Sequence, residues 1–543
     1  MVLTSGVMAR GGGLRRLLGL ILLAGLTGLG GCTEGAAESR VISSDERADT
    51  IAHKTPPLHV SDGYAVRAAS PDNLAIGEPQ LPDLSPYTRQ AVLDKIGTVP
   101  RGSVRTQRMV NDQALDEFIG GDGRMAVWAA RQRTNPLAIR IEGGLVTPAD
   151  LAKALPPSQF ENLGGGVYIA RLPVVVGQGA TLHIDESVKD FRLSQERGSF
   201  LVNDGRLFVT DTALTAWSES RNGPAKFRKG EEFRPFLVSW GGAEMYMVNT
   251  VVTSFGYAAS KSYGVSISQY SPSVDKILHR PRPSGWLLGN TFDDMWYGFY
   301  CYEADDVVLL DNVYKHNIVY GIDPHDRSRR LIIARNTAYG TKKKHGIIVS
   351  REVDDSWIFN NVSHDNGLSG IVIDRMSKNN VVAYNEVYAN GSDGITIYES
   401  PDNLLWGNRA VANAKHGIRV RNSLDIKLYE NVVIGNAFSG IYGHIKDLTG
   451  TDRDLRLDPF DPTVSLVVVG GQLIGNHSGP VHIDQPLSVE LYDVDLLAPL
   501  KSDGLRLKGI LGEFQNPILH LLLRERTAVV IEPNDNLQRS AGA

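Results

Sequence analysis

Seven segments of this chain open on asparagine, at Asn290, Asn312, Asn336, Asn361, Asn385, Asn408 and Asn431, in steps of 22 to 25 residues. Each runs on to a glycine, at Gly298, Gly321, Gly346, Gly370, Gly394, Gly417 or Gly440, and then to a short strand-like run such as Ile-Ile-Val-Ser or Ile-Val-Ile-Asp. A second apolar run precedes the next asparagine, at 307–310, 331–334, 357–359, 381–383, 404–406 and 426–428. A fixed period this short, with two or three β-rich runs per period, describes a solenoid of stacked coils. No 3.6-residue apolar period survives across these segments, which argues against an α-solenoid, and the strand runs argue against a leucine-rich horseshoe. Asn and Gly corners tolerate left-handed backbone at tight turns, and parallel crossovers wind right-handed. The expected fold is therefore all-β, a right-handed parallel β-helix with N-terminal and C-terminal capping elements.

The flanks set the boundaries. Arg10, Arg15 and Arg16 precede an apolar run at 17–29, too short to span a bilayer comfortably and followed by small residues, which describes a secretory signal over 1–37. Leu29-Gly30-Gly31-Cys32 also resembles a lipobox with Cys32 as the lipid-bearing residue, whereas Ala36-Ala37 suits ordinary cleavage. The chain has 2 cysteines, Cys32 and Cys301, so the exported body has no intramolecular disulfide to rest on. Residues 38–90 are polar, contain several prolines and lack periodicity, the character of a linker or wrapped arm. Mixed helical and strand pieces follow, and 38–160 is expected to be a linker and capping region. The β-helix is expected over 161–500, with a polar insertion at 446–462, and a second cap and tail over 501–543. A net charge of -5 does not suit a nucleic-acid binder, so an anionic partner needs a local basic row.

Side chains alternate along a strand, so counting from each glycine separates two faces. One and three positions on, the residues are mostly Ile, Val or Phe and face the interior. Two and four positions on, the outer row reads Tyr300 and Tyr302, Asp323 and His325, Ile348 and Ser350, Val372 and Asp374, Thr396 and Tyr398, Arg419 and Arg421, Tyr442 and His444. Coils stack about 4.8 Å apart, so seven make a polar strip roughly 30 Å long, enough for several units of an extended polymer. Pro324 stands where the other coils mostly have an aliphatic residue. Proline has no N–H to donate to the ladder, so the stack is interrupted beside His325, a defect better suited to a working site than to a core. Asp326 and Arg351 share the fifth position after the glycine, which permits an ion pair between adjacent coils. The Asp and Asn residues fall at coil corners, with no ligand spacing and no calcium nonapeptide, so no metal or cofactor is expected.

At Asp323-Pro324-His325-Asp326, set in coils of the carbohydrate-binding and sugar-hydrolase type, the chain resembles the periplasmic mannuronan C5-epimerases of alginate-producing bacteria. The resemblance implies conversion of β-D-mannuronate to α-L-guluronate within the polymer, with His325 as catalytic base and Arg351 facing the substrate carboxylate. Removing a C5 proton next to a carboxylate adds charge to an existing anion. A guanidinium opposes that charge, and an imidazole titrating near neutrality then suffices as base. Tyr302, Tyr320, Asp323, Asp326, Ser350, Asp374, Arg375, Tyr398, Arg419 and Arg421 are expected to bind polymer, and the returning proton is expected from water, Tyr302 or Tyr320. The expected partners are the alginate chain and proteins of a polysaccharide-export complex, in the periplasm, with a membrane only where Cys32 is lipidated. Two alternatives share these features: a uronate lyase acting by β-elimination, and a non-catalytic scaffold that shields polymer during export.

Overall fold

The computed structural model describes residues 59–60, 63–119, 124–500, 502 and 504–534; the signal segment and Cys32 lie outside them. The described residues form a parallel β-helix whose coils contribute to three long sheets of 16, 15 and 15 strands. The groove sheet includes Tyr297–Tyr302, Tyr320–His325, Ile347–Ser350, Ile371–Asp374, Ile395–Tyr398, Ile418–Arg421 and Ile441–His444, joined in order by parallel pairing. The second sheet takes the runs before each asparagine, such as Val308–Leu310, Ile332–Ala334 and Trp357–Phe359. The third takes strands the repeat does not announce, such as Val313–Lys315, Thr337–Tyr339 and Glu386–Tyr388, in which only the middle residue is buried. Three residues with one buried side chain are too short to register as a pattern.

The aliphatic row one position after each glycine fills the interior: Phe299, Ile322, Ile347, Ile371, Ile395 and Ile418 are fully buried. Cys301 is buried in the same core as a free thiol. The glycines are required by close approach rather than by backbone angle, since a Cβ on Gly321 would stand 2.4 Å from the Gly346 carbonyl oxygen.

The asparagines have a different role from the one their corner position suggests. The left-handed residue is the one before each, namely Gly289, Asp311, Arg335, Asn360, Tyr384, Gly407 and Glu430, so the turn accepts several residue types. The asparagines themselves are buried and form a side-chain ladder. Asn361 Nδ2 donates to Asn385 Oδ1 at 2.9 Å and to the Ile333 carbonyl at 2.8 Å, and its Oδ1 accepts from the Asn336 backbone N–H at 2.9 Å. Asn312, Asn336, Asn385 and Asn408 repeat the arrangement. A second ladder runs through Asn366, Asn390, Asn413, Asn436 and Asn476 at the next corner.

Both ends of the solenoid are closed. At the start the helix Pro148–Ala154, fastened by a Thr147–Asp150 capping box, sets Leu151 on the core. At the far end Leu511, Phe514, Ile518 and Leu521 plug it, and Ala528–Pro533 pairs antiparallel with Tyr64–Ala69. From there the N-terminal segment runs back along the second sheet. The Leu74 carbonyl accepts from Tyr429, Glu78 accepts from Tyr384, Tyr87 packs edge-on against Trp286 at 4.9 Å, and Arg89 pairs with Asp211 at 2.7 Å. This arm leaves the groove sheet open. No described helix is long and apolar enough to cross a membrane.

Asn361→Ala should lower stability by roughly 2–4 kcal/mol, because several buried groups lose their partners at about 1–3 kcal/mol each. Thermal or urea unfolding of the variant against wild type measures this; an unchanged transition would refute the structural role of the ladder.

Candidate functional site

Successive strands of the groove sheet from Tyr297–Tyr302 to Ile395–Tyr398 end in a left-handed residue, and this turn builds the site. Glu303, Asp326, Arg351, Arg375 and Glu399 all have positive φ, from 42 to 65°. Their N–H groups stay in the ladder: Asp326 donates to the Ser350 carbonyl, Arg351 to that of Asp374 and Arg375 to that of Tyr398, each at 3.0 Å. Five charged side chains are thus stacked coil upon coil at one edge of the sheet. Beside them the pairing of Tyr320–His325 with Ile347–Ser350 keeps only Ile322 with Ile347 and His325 with Ser350, so the ladder is interrupted at Pro324.

His325 Nδ1 lies 2.5 Å from Asp326 Oδ2, and Arg351 Nη1 donates to Asp326 Oδ1 at 3.2 Å. The adjacent-coil ion pair permitted by the shared register is therefore present. Burial raises the Asp326 carboxyl, but the His325 hydrogen bond and the Arg351 charge outweigh it and hold the group below its ordinary value. Asp323 behaves oppositely: it is buried with Oδ1 unpartnered, and burial pushes its carboxyl up to about 7. Two aspartates three residues apart are driven in opposite directions, one further toward the anion and one toward the protonated acid.

A carboxylate from far along the chain completes the cluster. The 446–462 insertion folds back over the groove, and Asp458, its side chain only 5% exposed, takes Arg351 Nε and Nη2 at 2.8 Å each. Arg375 Nη1 reaches the same carboxylate at 3.4 Å and Nε reaches Asp374 at 3.3 Å, while Ser350 Oγ donates to Asp374 at 3.2 Å. The Asp458 hydrogen bond, with the Asp326 charge adding, outweighs burial and drives the Arg351 guanidinium further up, so it is a permanent cation. His325, Asp326, Arg351, Asp458, Arg375, Asp374 and Ser350 form one connected polar network in an open groove.

Comparison with known proteins places this chain in a family. Residues 275–447 match the family model described as periplasmic copper-binding protein (NosD). Over nearly the whole chain the similarity is to enzymes. The mannuronan C5-epimerase of Pseudomonas putida is 57% identical over 92% of this chain and 94% of its own length. That of Pseudomonas aeruginosa is 62% identical over 88% of each. The chain belongs to the mannuronan C5-epimerases. The crystal structure of the periplasmic alginate epimerase AlgG, 56% identical, superposes with a TM-score of 0.77 over 78% of this epimerase and all of that chain.

The remaining sequence-predicted residues of the epimerase divide between groove and interior. Tyr302 pairs in register with His325, and its hydroxyl is 3.5 Å from Arg327 Nη2. Tyr320 Oη accepts from Lys344 at 2.9 Å, and its ring stacks on His345. Asp323, expected to point outward to polymer, is instead 3% exposed, closed in beneath the tyrosines; its row position is outer, but neighbouring side chains cover it. Ser350, at 2%, is covered likewise. Arg421 gives Nε and Nη2 to Glu399 at 2.7 and 3.1 Å and stacks over Tyr398 at 3.8 Å, with Arg453 of the insertion sharing Glu399 at 2.6 Å. Arg419 reaches His444 at 3.1 Å. These arginines lie further along the groove, apart from the His325 network. Asp458, Arg453 and Glu399 escaped the sequence reading because the first two lie in an aperiodic insertion and Glu399 is one step past the alternating row. Among the described residues no group of three or more His, Cys, Asp or Glu could hold a metal ion.

Because the folded state raises the Asp323 pKa from about 4 to about 7, this residue makes stability fall as pH rises through that interval. Asp323→Asn should therefore gain on wild type between pH 5 and pH 8. Urea unfolding at both values checks it; equal pH slopes would contradict the buried acid.

Proposed function

We propose that polymannuronate lies along the groove sheet and is epimerised at His325. The observation that supports this most directly is one carboxylate, Asp326, held by His325 Nδ1 at 2.5 Å and by Arg351 Nη1 at 3.2 Å. An Nδ1–H donating to Asp326 leaves the Nε2 lone pair for the C5 proton of a mannuronate residue. Arg351 is anchored along its Nε–Nη2 edge by Asp458, yet each terminal nitrogen retains a further N–H. Those two meet the substrate carboxylate as it gains enediolate charge, and because Asp458 and Asp326 hold the guanidinium beforehand, little reorganisation accompanies the reaction.

The proton returns to the opposite face of C5 from water or from Tyr302 or Tyr320. Burial raises the pKa of Tyr320, and Lys344 donates to its oxygen, so it holds a proton to give at neutral pH. Restoring the proton without expelling the neighbouring glycosidic oxygen yields guluronate with the chain intact. The signal-like N-terminus and the periplasmic relative support action in the periplasm on nascent alginate, beside the proteins that export it.

Incubation with polymannuronate in heavy water should place deuterium at C5 of new guluronate without chain cleavage; unsaturated ends absorbing in the ultraviolet would indicate elimination instead. His325→Ala should abolish guluronate formation. Arg351→Lys, a point charge in place of a fork, should lower kcat by about 10²-fold or more; turnover at the wild-type rate would refute the carboxylate role.

A further inference from the structure

Lys261 projects from a tight loop over the coil that precedes His325. It is only 8% exposed. Among the described residues its ammonium has no hydrogen bond and no ion pair; it lies 3.0 Å from the centroid of the Tyr302 ring and 5.7 Å from that of Tyr300. The acids around it are engaged elsewhere: Glu303 by Arg327, Asp326 by His325 and Arg351, and Glu117 by the Ser271 N–H. An ammonium withdrawn from water without an anion is unfavourable, and a site that retains one is prepared for an anion to arrive. Tyr302 stands opposite His325 in register, and the Tyr300 ring is 6.2 Å from the imidazole, so the ammonium sits beside the reacting position.

We propose that Lys261 is a second anion subsite of the groove, taking the carboxylate of a uronate residue that neighbours the one reacting at His325. Arg351 lies one coil after the base and Lys261 over the coil before it, so the two cations bracket the base along the groove. A polyuronate carries a carboxylate on every residue; any chain long enough to cross His325 presents one on each side. A neutral polysaccharide leaves Lys261 unpaired, so this subsite also selects for uronate polymer over neutral chains. Burial brings the lysine down to about 7, against the pull of Glu117, Asp326, Glu303 and Cys301. An arriving carboxylate restores its charge, and binding near neutral pH therefore takes up a proton.

The proposal rests on the groove being the polymer site, and its test is separable from the role of the base. In the otherwise native enzyme, Lys261→Met should raise KM for polymannuronate about tenfold, leave kcat within a few-fold and leave Tm unchanged or higher, while Lys261→Arg recovers part of the loss. In a His325→Ala background, where no turnover occurs, Lys261→Met should weaken binding of mannuronate oligomers by a similar factor and remove the decline in affinity above pH 7. Unaltered KM and unaltered oligomer binding would overturn the subsite. A collapse of kcat at constant KM would overturn it in favour of proton transfer, and a lowered Tm in both lysine variants would overturn it in favour of a structural role. Activity surviving His325→Ala would sink the base without touching the binding result.

Discussion

Everything in this molecule depends on the stacking of coils at the spacing of β-strands. Each backbone N–H of the groove sheet must find a carbonyl on the next coil, and that demand extends past the strand into the left-handed turn, where Asp326, Arg351 and Arg375 still donate at 3.0 Å. A residue placed at that turn is therefore locked directly over its counterparts in neighbouring coils. Turns that would be mobile in another fold are fixed here, and their side chains become a column of charges whose spacing is set by backbone hydrogen bonding. The asparagine ladders secure the corners by the same rule, each amide supplying the donors and acceptors that the turning backbone leaves unmet.

Within that column the sign of each charge decides its partner. Asp326 stands between an imidazole and a guanidinium, and Arg351 stands between Asp326 and Asp458. A carboxylate from the insertion thus faces the same guanidinium that we propose for the substrate carboxylate. The arrangement gives one edge of the fork to Asp458, and each terminal nitrogen keeps one further N–H. The insertion ties the groove twice, through Asp458 to Arg351 and through Arg453 to Glu399, so the middle and one end of the charged column are held by one segment.

The repeat made much of this legible in advance. Counting from each glycine separated an aliphatic interior from an outer row, placed His325 outward beside the broken ladder at Pro324, and put Asp326 and Arg351 in one register. It also misled in one respect. Row position states which face of the sheet a side chain leaves from and says nothing about what lies above it, so Asp323 and Ser350, outer by count, are covered by their neighbours. The asparagines were visible as corners, but their chemistry was not: the left-handed residue is the one before, and the amide is there to be bonded.

By itself the sequence determined the β-helix, its register and the place of Asp323-Pro324-His325-Asp326 on the outer row, because a period imposed on a stacked backbone repeats the same geometry coil after coil. Only the tertiary structure decided which other groups gather around that tetrapeptide. Asp458 is 107 residues from Arg351 and Lys261 lies in a loop outside the alternating row, and neither distance nor direction follows from a period. The solenoid aligns residues that share a position in the repeat; the groove is finished by segments that interrupt it, and where an insertion folds back is settled by the partners it finds.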